Sequence, residues 1–364
     1  MSFTVGENVG AYRIVAQLGQ GGMATVYKAY HAALDRYVAL KVMHPAFKQD
    51  PDFVQRFNRE ARIVARLEHP DIVPVYDFAE HRGLAYLVMR FVDGETLKAR
   101  LQRGPLQPAQ IIQVAQEAAA ALSYAHRQGV LHRDIKPSNF MLCKNPDDPD
   151  AMDIYLTDFG LARIAEMGES TLSRDVMLGT PQYISPEQAK GVQDLDARTD
   201  IYSLGVVLFE IATGQVPFSA DTPYSIIHDH IFTPLPMPSD INPNVPEGVE
   251  RVLLKALSKE REDRYPDVDS FVGAFVDAVK SVSPADAASA KPARDAPAPA
   301  KPFVDPEPGP REAPSFTTAD RTRQRELEQP GKEGKRRWPL ILAGIVLLTC
   351  VCSTALFCLL SSGY

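Results

Sequence analysis

The sequence predicts an α+β chain of two lobes, a small strand-rich one over residues 12–92 and a larger, mostly helical one over 93–275, followed by a disordered linker (281–337) and a transmembrane helix (339–360). Three observations predict it. Short runs rich in β-branched and aromatic residues crowd the first part of the chain. Helix-length apolar periodicity with glycine stops fills the second. Past residue 280 the composition turns to Pro, Ala and charge, and then to an unbroken apolar run.

In the first lobe, "YRIVAQLG", "ATVYKAYH", "YVALKVM", "VPVYDF" and "LAYLVMRF" read as strands. One helix interrupts them, with Asp50 as N-cap, Pro51 at the first helical position, and Phe53, Phe57, Val64 and Leu67 at helical spacing. In the second lobe, "PAQIIQVAQEAAAALSYAHRQG" is a helix ended by a glycine, and "DIYSLGVVLFEIATG" is another, from Asp200 to Gly214. The stretch "PADAASAKPARDAPAPAKPFVDPEPGPREAP" cannot bury enough apolar surface to offset its ordering entropy, so it reads as a linker, semi-extended where proline is dense. No repeat of fixed period is present.

Residues 340–360, "LILAGIVLLTCVCSTALFCLL", are 21 uncharged residues, enough at 1.5 Å per residue for a helix of about 30 Å, one hydrocarbon core. Trp338 suits the interface, and "GKEGKRR" before it places the preceding chain on the cytoplasmic side of the cell (inner) membrane. A single-pass protein with its folded part in the cytoplasm is expected, with residues 361–364 outside. The N-terminus "MSFTVGENVG" shows no signal peptide. Residues 1–280 hold 28 Lys and Arg against 37 Asp and Glu, a balance of −9, which argues against nucleic acid as a partner. Only Cys143 lies outside the C-terminal apolar run, so the folded part has no disulfide framework and a reducing setting fits.

Several segments carry chemistry. In "LGQGGMATVYKA", Gly19, Gly21 and Gly22 lie between two strand-like runs, where a hairpin tip can approach phosphates and present N–H groups to them. A dinucleotide-binding turn would need a helix after the glycines, and here a strand follows. Glu60 falls on the face of its helix that should be buried and therefore needs a cation; Lys41, at the end of "VALK", is the candidate. "HRDIKPSNF" (132–140) gathers His132, Arg133, Asp134, Lys136 and Asn139, and "YLTDFGLA" sets Asp158 at a strand end beside Gly160, a placement that suits a hard cation such as Mg2+.

The order of these segments, closed by "SPE" at 185–187, resembles the eukaryotic-like (Hanks-type) serine/threonine protein kinases of bacteria over about residues 12–275. "GxGGMxxVY" and "GTPQYISPEQ" are especially similar to that branch. The resemblance implies the bilobal protein-kinase fold, with an antiparallel sheet in the first lobe, and ATP-dependent transfer of phosphate to protein Ser and Thr hydroxyls. It implies that Asp134 accepts the hydroxyl proton, that Lys136 steadies the γ-phosphate, and that Asn139 and Asp158 hold Mg2+, with Mn2+ as an alternative. Lys41, fixed by Glu60, would hold the α- and β-phosphates under the turn Leu18, Gly19, Gln20, Gly21 and Gly22. The base would lie between Val26, Ala39 and Met141, with the backbone of Arg90 and Val92 as its hydrogen-bonding edge and Met89 behind.

His132 is expected to pack against Phe159, Asp200 to brace the catalytic loop, and Arg264 to pair with Glu187. Arg133 and Arg163 face a segment whose Ser170, Thr171 and Ser173 are phosphorylation candidates, Thr171 first, since a phosphate there can order a loop. Thr180 is expected to order the peptide-binding loop. Kinase-domain pairing into a homodimer is a further implication.

Three departures stand out. The third glycine of the loop is Ala24. Asp134 and Asp158 are 24 residues apart, a longer spacing than usual, with "CKNPDDPDAMD" (143–153) as a longer surface turn. Many bacterial relatives carry an external sensor domain after the membrane helix, whereas four residues, 361–364, stand there in this sequence, so direct sensing of an outside ligand is not expected. A catalytically dead scaffold of the same fold would lack part of the set Lys41, Glu60, Asp134, Asn139 and Asp158, and a small-molecule kinase would lack the segment ending at Ser185-Pro186-Glu187; this chain has both.

Overall fold

The computed structural model describes residues 3–49, 53–145, 152–159 and 181–281. Asp50, Pro51, most of the long turn, Gly160, Arg163, Ser170, Thr171, Ser173, Thr180, the linker from 282 and the apolar run 340–360 lie outside the described residues. Among the described residues no helix is long and apolar enough to cross a membrane.

The first lobe is an antiparallel sheet in the order β1-β2-β3-β4-β6-β5, from β1 (Asn8–Val9), β2 (Tyr12–Gln20), β3 (Ala24–His31), β4 (Arg36–Met43), β5 (Val75–His81) and β6 (Leu84–Arg90). The pleat sends alternate residues to opposite faces. Register pairs Val26 with Lys41, Lys41 with Leu87, and Ala39 with Met89, so these residues share one face. That face joins the helix Phe53–Val64 in a cluster containing Phe53, Phe57, Ala61, Leu87 and Met89. The opposite face, with Tyr27, Ala29, Val38, Leu40, Tyr86 and Val88, forms a separate core closed by Phe3 and Val9. Folded chain therefore begins upstream of residue 12.

Two element ends differ from the sequence expectation. Helical spacing carries on to Leu67, but the helix stops at Val64, because Arg66 and Leu67 donate their N–H groups to Ile63 and Val64, tightening the last turn. The strand expected from Val73 begins at Val75. Pro74 has no N–H to give, and Val73 donates instead to Leu156 at 2.9 Å, which ties the two lobes together.

The second lobe is built around the helix Ala197–Thr213, whose residues from Thr199 to Phe209 are all buried. It starts three residues before Asp200, with Asp196 as N-cap, and ends at Gly214 (φ 84°). The helix Pro108–Arg127 has Pro108 in its first turn and is followed by Gly129 (φ 73°). The closing helix Val268–Lys280 buries Phe271, Phe275 and Val276, so the packed lobe continues past residue 275. A small sheet of β7 (Glu95–Thr96), β8 (Phe140–Lys144) and β9 (Met152–Leu156) lies beside the loop that carries the polar cluster.

Candidate active site

The glycine turn is the tip of the β2–β3 hairpin, where Gly19 pairs with Val26, Gln20 with Thr25, and Gly21 donates to Ala24 O at 2.9 Å. Leu18 is about half exposed at the hairpin's edge. Beneath it, Val26, Ala39, Met89, Val92 and Met141 belong to one apolar cluster, although Met141 comes from β8 of the other lobe. The Arg90 N–H is bonded to Pro74 O at 3.1 Å, so of this residue's two backbone polar groups the carbonyl is the one to offer a ligand's edge. These residues make an apolar patch next to the glycine tip, with Lys41 on the same face of the sheet.

Lys41 does not pair with Glu60. Its Nζ lies 2.8 Å from Asp158 Oδ2, and among the described residues no Lys41–Glu60 ion pair is made. Burial pushes the Asp158 carboxyl up, but the Lys41 charge and hydrogen bond outweigh that penalty and hold it below the usual carboxylate range. Glu60 is buried, as its position on the helix requires, and lines a cavity of about 280 Å3 with His126 and Arg133.

The loop 131–139 is fixed from below. Asp200, fully buried in the central helix, accepts from His132 N and Arg133 N at 2.8 Å each and bonds His126 Nε2 at 2.8 Å. Burial pushes its carboxyl up, and the His126 bond brings it back below the ordinary value. His132 is also fully buried, packs on Phe159 with ring centroids 4.5 Å apart, and bonds Thr157 O at 2.9 Å. Burial lowers its basicity, which suits a packing role and not a cationic one. Arg133 (φ 66°) and Asp158 (φ 70°) both occupy the left-handed region, at a cost of about 1–3 kcal/mol each, a strain that concentrates at functional sites.

On this base the polar side chains meet. Lys136 Nζ donates to both Asp134 oxygens, at 2.9 and 2.7 Å. Asn139 Nδ2 donates to Asp134 O at 2.7 Å and to Asp134 Oδ2 at 3.1 Å, which leaves its carbonyl oxygen for another partner. Asn139 O accepts from Thr157 N at 3.0 Å, so Asn139 sits beside the residue that precedes Asp158, and Lys136 contributes to the field at Asp158. A carboxylate and a carboxamide oxygen are hard donors, a set that fits Mg2+ and not a thiolate-seeking metal.

The segment from Pro181 is pinned to the lobe. Glu187 and Arg264 form a two-fold ion pair, Nη1–Oε1 at 2.7 Å and Nη2–Oε2 at 2.8 Å, with Thr199 Oγ1 adding a bond at 2.8 Å. Tyr183 OH donates to Glu210 at 2.7 Å, and Ser203 Oγ donates to Tyr183 O at 2.8 Å. His230, fully buried, bridges Tyr202 OH and Gln182 O at 2.9 and 3.0 Å. Ser185 caps the short helix Pro186–Ala189 in a box with Gln188, whose Nε2 reaches Arg133 O at 2.9 Å.

A model of the protein kinase domain matches residues 12–271. The chain belongs to the protein kinase family. Serine/threonine-protein kinase PknB of Mycolicibacterium smegmatis is 41% identical over 260 residues, 70% of this chain and 40% of the relative. Serine/threonine-protein kinase PrkC of Bacillus subtilis is 39% identical over 264 residues, 72% of this chain and 39% of the relative. The chain thus spans about two fifths of the length of the curated relatives it matches. Among solved structures, the Mycobacterium tuberculosis PknI kinase domain aligns with a TM-score of 0.60 at 29% identity, over 76% of this chain and 99% of that one.

Within this kinase domain, the roles of Gln188, Tyr183, Glu210 and His230 were not legible in the sequence. Their partners lie between 20 and 55 residues away, and none forms a motif with its neighbours. The one local signal is the Ser-x-x-Gln spacing of 185–188, which marks a capping box.

Proposed function

We propose that this chain is an ATP-dependent serine/threonine protein kinase held at the membrane by a single helix. The observation that carries this reading is the meeting of Asp134, Lys136 and Asn139 in one hydrogen-bonded cluster, together with the Lys41–Asp158 pair and the apolar cluster of Val26, Ala39, Met89 and Met141. The names of PknB and PrkC, with the family match over the whole cluster, support serine and threonine as acceptors.

Phosphoryl transfer asks a protein chiefly for position and charge. Val26, Ala39 and Met141 would sandwich the base, Arg90 and Val92 would bond its edge, and the amides at Gly19–Gly22 would cover the phosphates. Lys41 would hold the α- and β-phosphates, with Glu60 turning to it from its present buried position. Asn139 and Asp158 would hold Mg2+ or Mn2+, which when bound neutralises the phosphate tail. Lys136 would move from Asp134 to the γ-phosphate, freeing Asp134 to take the acceptor hydroxyl's proton.

Residues 340–360 supply the membrane span, with the kinase domain on the cytoplasmic side, and Thr171, Ser170 and Ser173 the sites of activating autophosphorylation. A second copy of the kinase domain is the partner that would phosphorylate them. Incubating the full chain with γ-labelled ATP, Mg2+ and a general protein substrate, followed by phosphoamino-acid analysis, tests the reading. Phosphoserine and phosphothreonine are expected; phosphotyrosine alone, or no label, contradicts it. Mapping the labelled chain tests the regulatory part, which fails if no site between 165 and 180 is modified.

A further inference from the structure

The peptide group joining Arg133 to Asp134 is held at both ends. Its N–H, on Asp134, lies 3.2 Å from His132 Nδ1, and its carbonyl, on Arg133, accepts from Gln188 Nε2 at 2.9 Å. A peptide is a rigid plane, so fixing its two polar ends fixes where the Asp134 Cα sits and the N–Cα axis about which its Cα–Cβ bond turns. That bond carries the Asp134 carboxylate. External bonds are needed here because Arg133 sits at φ 66°, a conformation an L residue leaves once released.

The other end of the Gln188 side chain belongs to a different element. Its Oε1 accepts from Ser185 N at 3.3 Å and Ser185 Oγ at 3.1 Å, while Ser185 Oγ accepts from Gln188 N at 3.3 Å. Ser185 ends the segment beginning at Pro181, and the neighbouring Glu187 anchors that segment to Arg264. One carboxamide therefore uses its acceptor on the end of this segment and its donor on the carbonyl before Asp134. Glutamine alone among residues of this length offers both at neutral pH.

We propose that Gln188 is a positioning residue for phosphoryl transfer: its carboxamide locks the Arg133–Asp134 peptide plane, and so aims Asp134, only while the segment ending at Ser185 is seated. The proposal rests on the reading of Asp134 as proton acceptor. Gln188 touches no reacting atom, so its removal acts on turnover and leaves nucleotide binding alone. A glutamate in its place keeps the acceptor toward Ser185 and loses the donor toward Arg133 until it is protonated.

The test compares the full wild-type chain with Gln188→Met, Gln188→Glu and Asp134→Asn, using labelled ATP and a general protein substrate. Gln188→Met should lower kcat about 10- to 100-fold, the scale of a small misplacement of a reacting group, with the KM for ATP within about 2-fold of wild type. Gln188→Glu should show the same loss near pH 8, and its kcat relative to wild type should rise as pH falls, while that of Gln188→Met stays level. Wild-type kcat in Gln188→Met, or a level ratio for both variants, would overturn the proposal. Should the wild type show no Asp134-dependent transfer, the underlying reading fails by itself. Hydrogen exchange then decides the clamp: faster exchange at the Asp134 amide in Gln188→Met supports it, and unchanged exchange refutes it.

Discussion

Lys41 Nζ and Asp158 Oδ2 lie 2.8 Å apart, and the Lys41 charge holds the Asp158 carboxyl below its ordinary range against the opposing effect of burial. A carboxylate whose pKa is depressed on folding adds stability that is present above the unfolded value, about 3.9, and is lost as pH falls through the depressed folded value. Lys41→Met should therefore destabilise the chain by about 1–3 kcal/mol at pH 7 and flatten the acid limb of its stability profile. Urea unfolding of both proteins between pH 7 and pH 3 measures this; parallel profiles would contradict the pairing.

The Arg264–Glu187 pair is buried and two-fold, and burial alone would push the Glu187 carboxyl up were the guanidinium not beside it. Glu187→Gln strands a buried cation and should cost about 3–5 kcal/mol of unfolding free energy. Arg264→Lys should also destabilise, because an ammonium cannot reproduce the fork that also reaches Arg198 O and Lys259 O. Denaturant midpoints report both; a Lys variant as stable as wild type would show that charge alone suffices.

Asp200 is the single acceptor for two successive amides of the loop 131–139. Asp200→Ala leaves those buried donors unsatisfied, at about 1–3 kcal/mol each, and should release the loop. Loss of stability accompanied by a fall in kcat larger than any change in the KM for ATP is the expected result. Hydrogen exchange at residues 132–134 locates the effect.

His230 titrates in an accessible range. Burial lowers it to about 4, whereas an unfolded histidine titrates near 6.5. Between these values the unfolded chain binds the proton and the folded chain does not, so stability falls as pH drops from about 6.5 to about 4. His230→Gln removes that proton uptake and should flatten this window relative to wild type. Unfolding measured at half-unit pH steps checks the difference curve.

The strand-rich lobe was legible because alternation in "ATVYKAYH" and "YVALKVM" is a local property, and β3 and β4 form within one residue of those runs. Burial of Glu60 was legible for the same reason, since it follows from helical spacing. The partner of Lys41 was not. Choosing between Glu60 and Asp158 for Lys41 depends on which carboxylate comes nearest in three dimensions, and spacing along the chain says nothing about that. β5 starts later than the alternation suggests because Pro74 O accepts from Arg90 of β6 and the Val73 N–H is drawn across the lobe junction to Leu156 of β9. Gln188 shows the same limit, its decisive acceptor being a backbone carbonyl that no sequence motif marks.

In the proposed function Asp134 acts in transfer, and the residues around Lys41 and Asp158 act in holding nucleotide. Asp134→Asn separates the two when Mg-dependent ATP binding by calorimetry and γ-phosphate transfer to protein are measured on the same preparation. ATP affinity within a few-fold of wild type, with transfer reduced at least about 100-fold, is the result predicted. Equal transfer by wild type and variant, or no magnesium-dependent ATP binding by either, would contradict it.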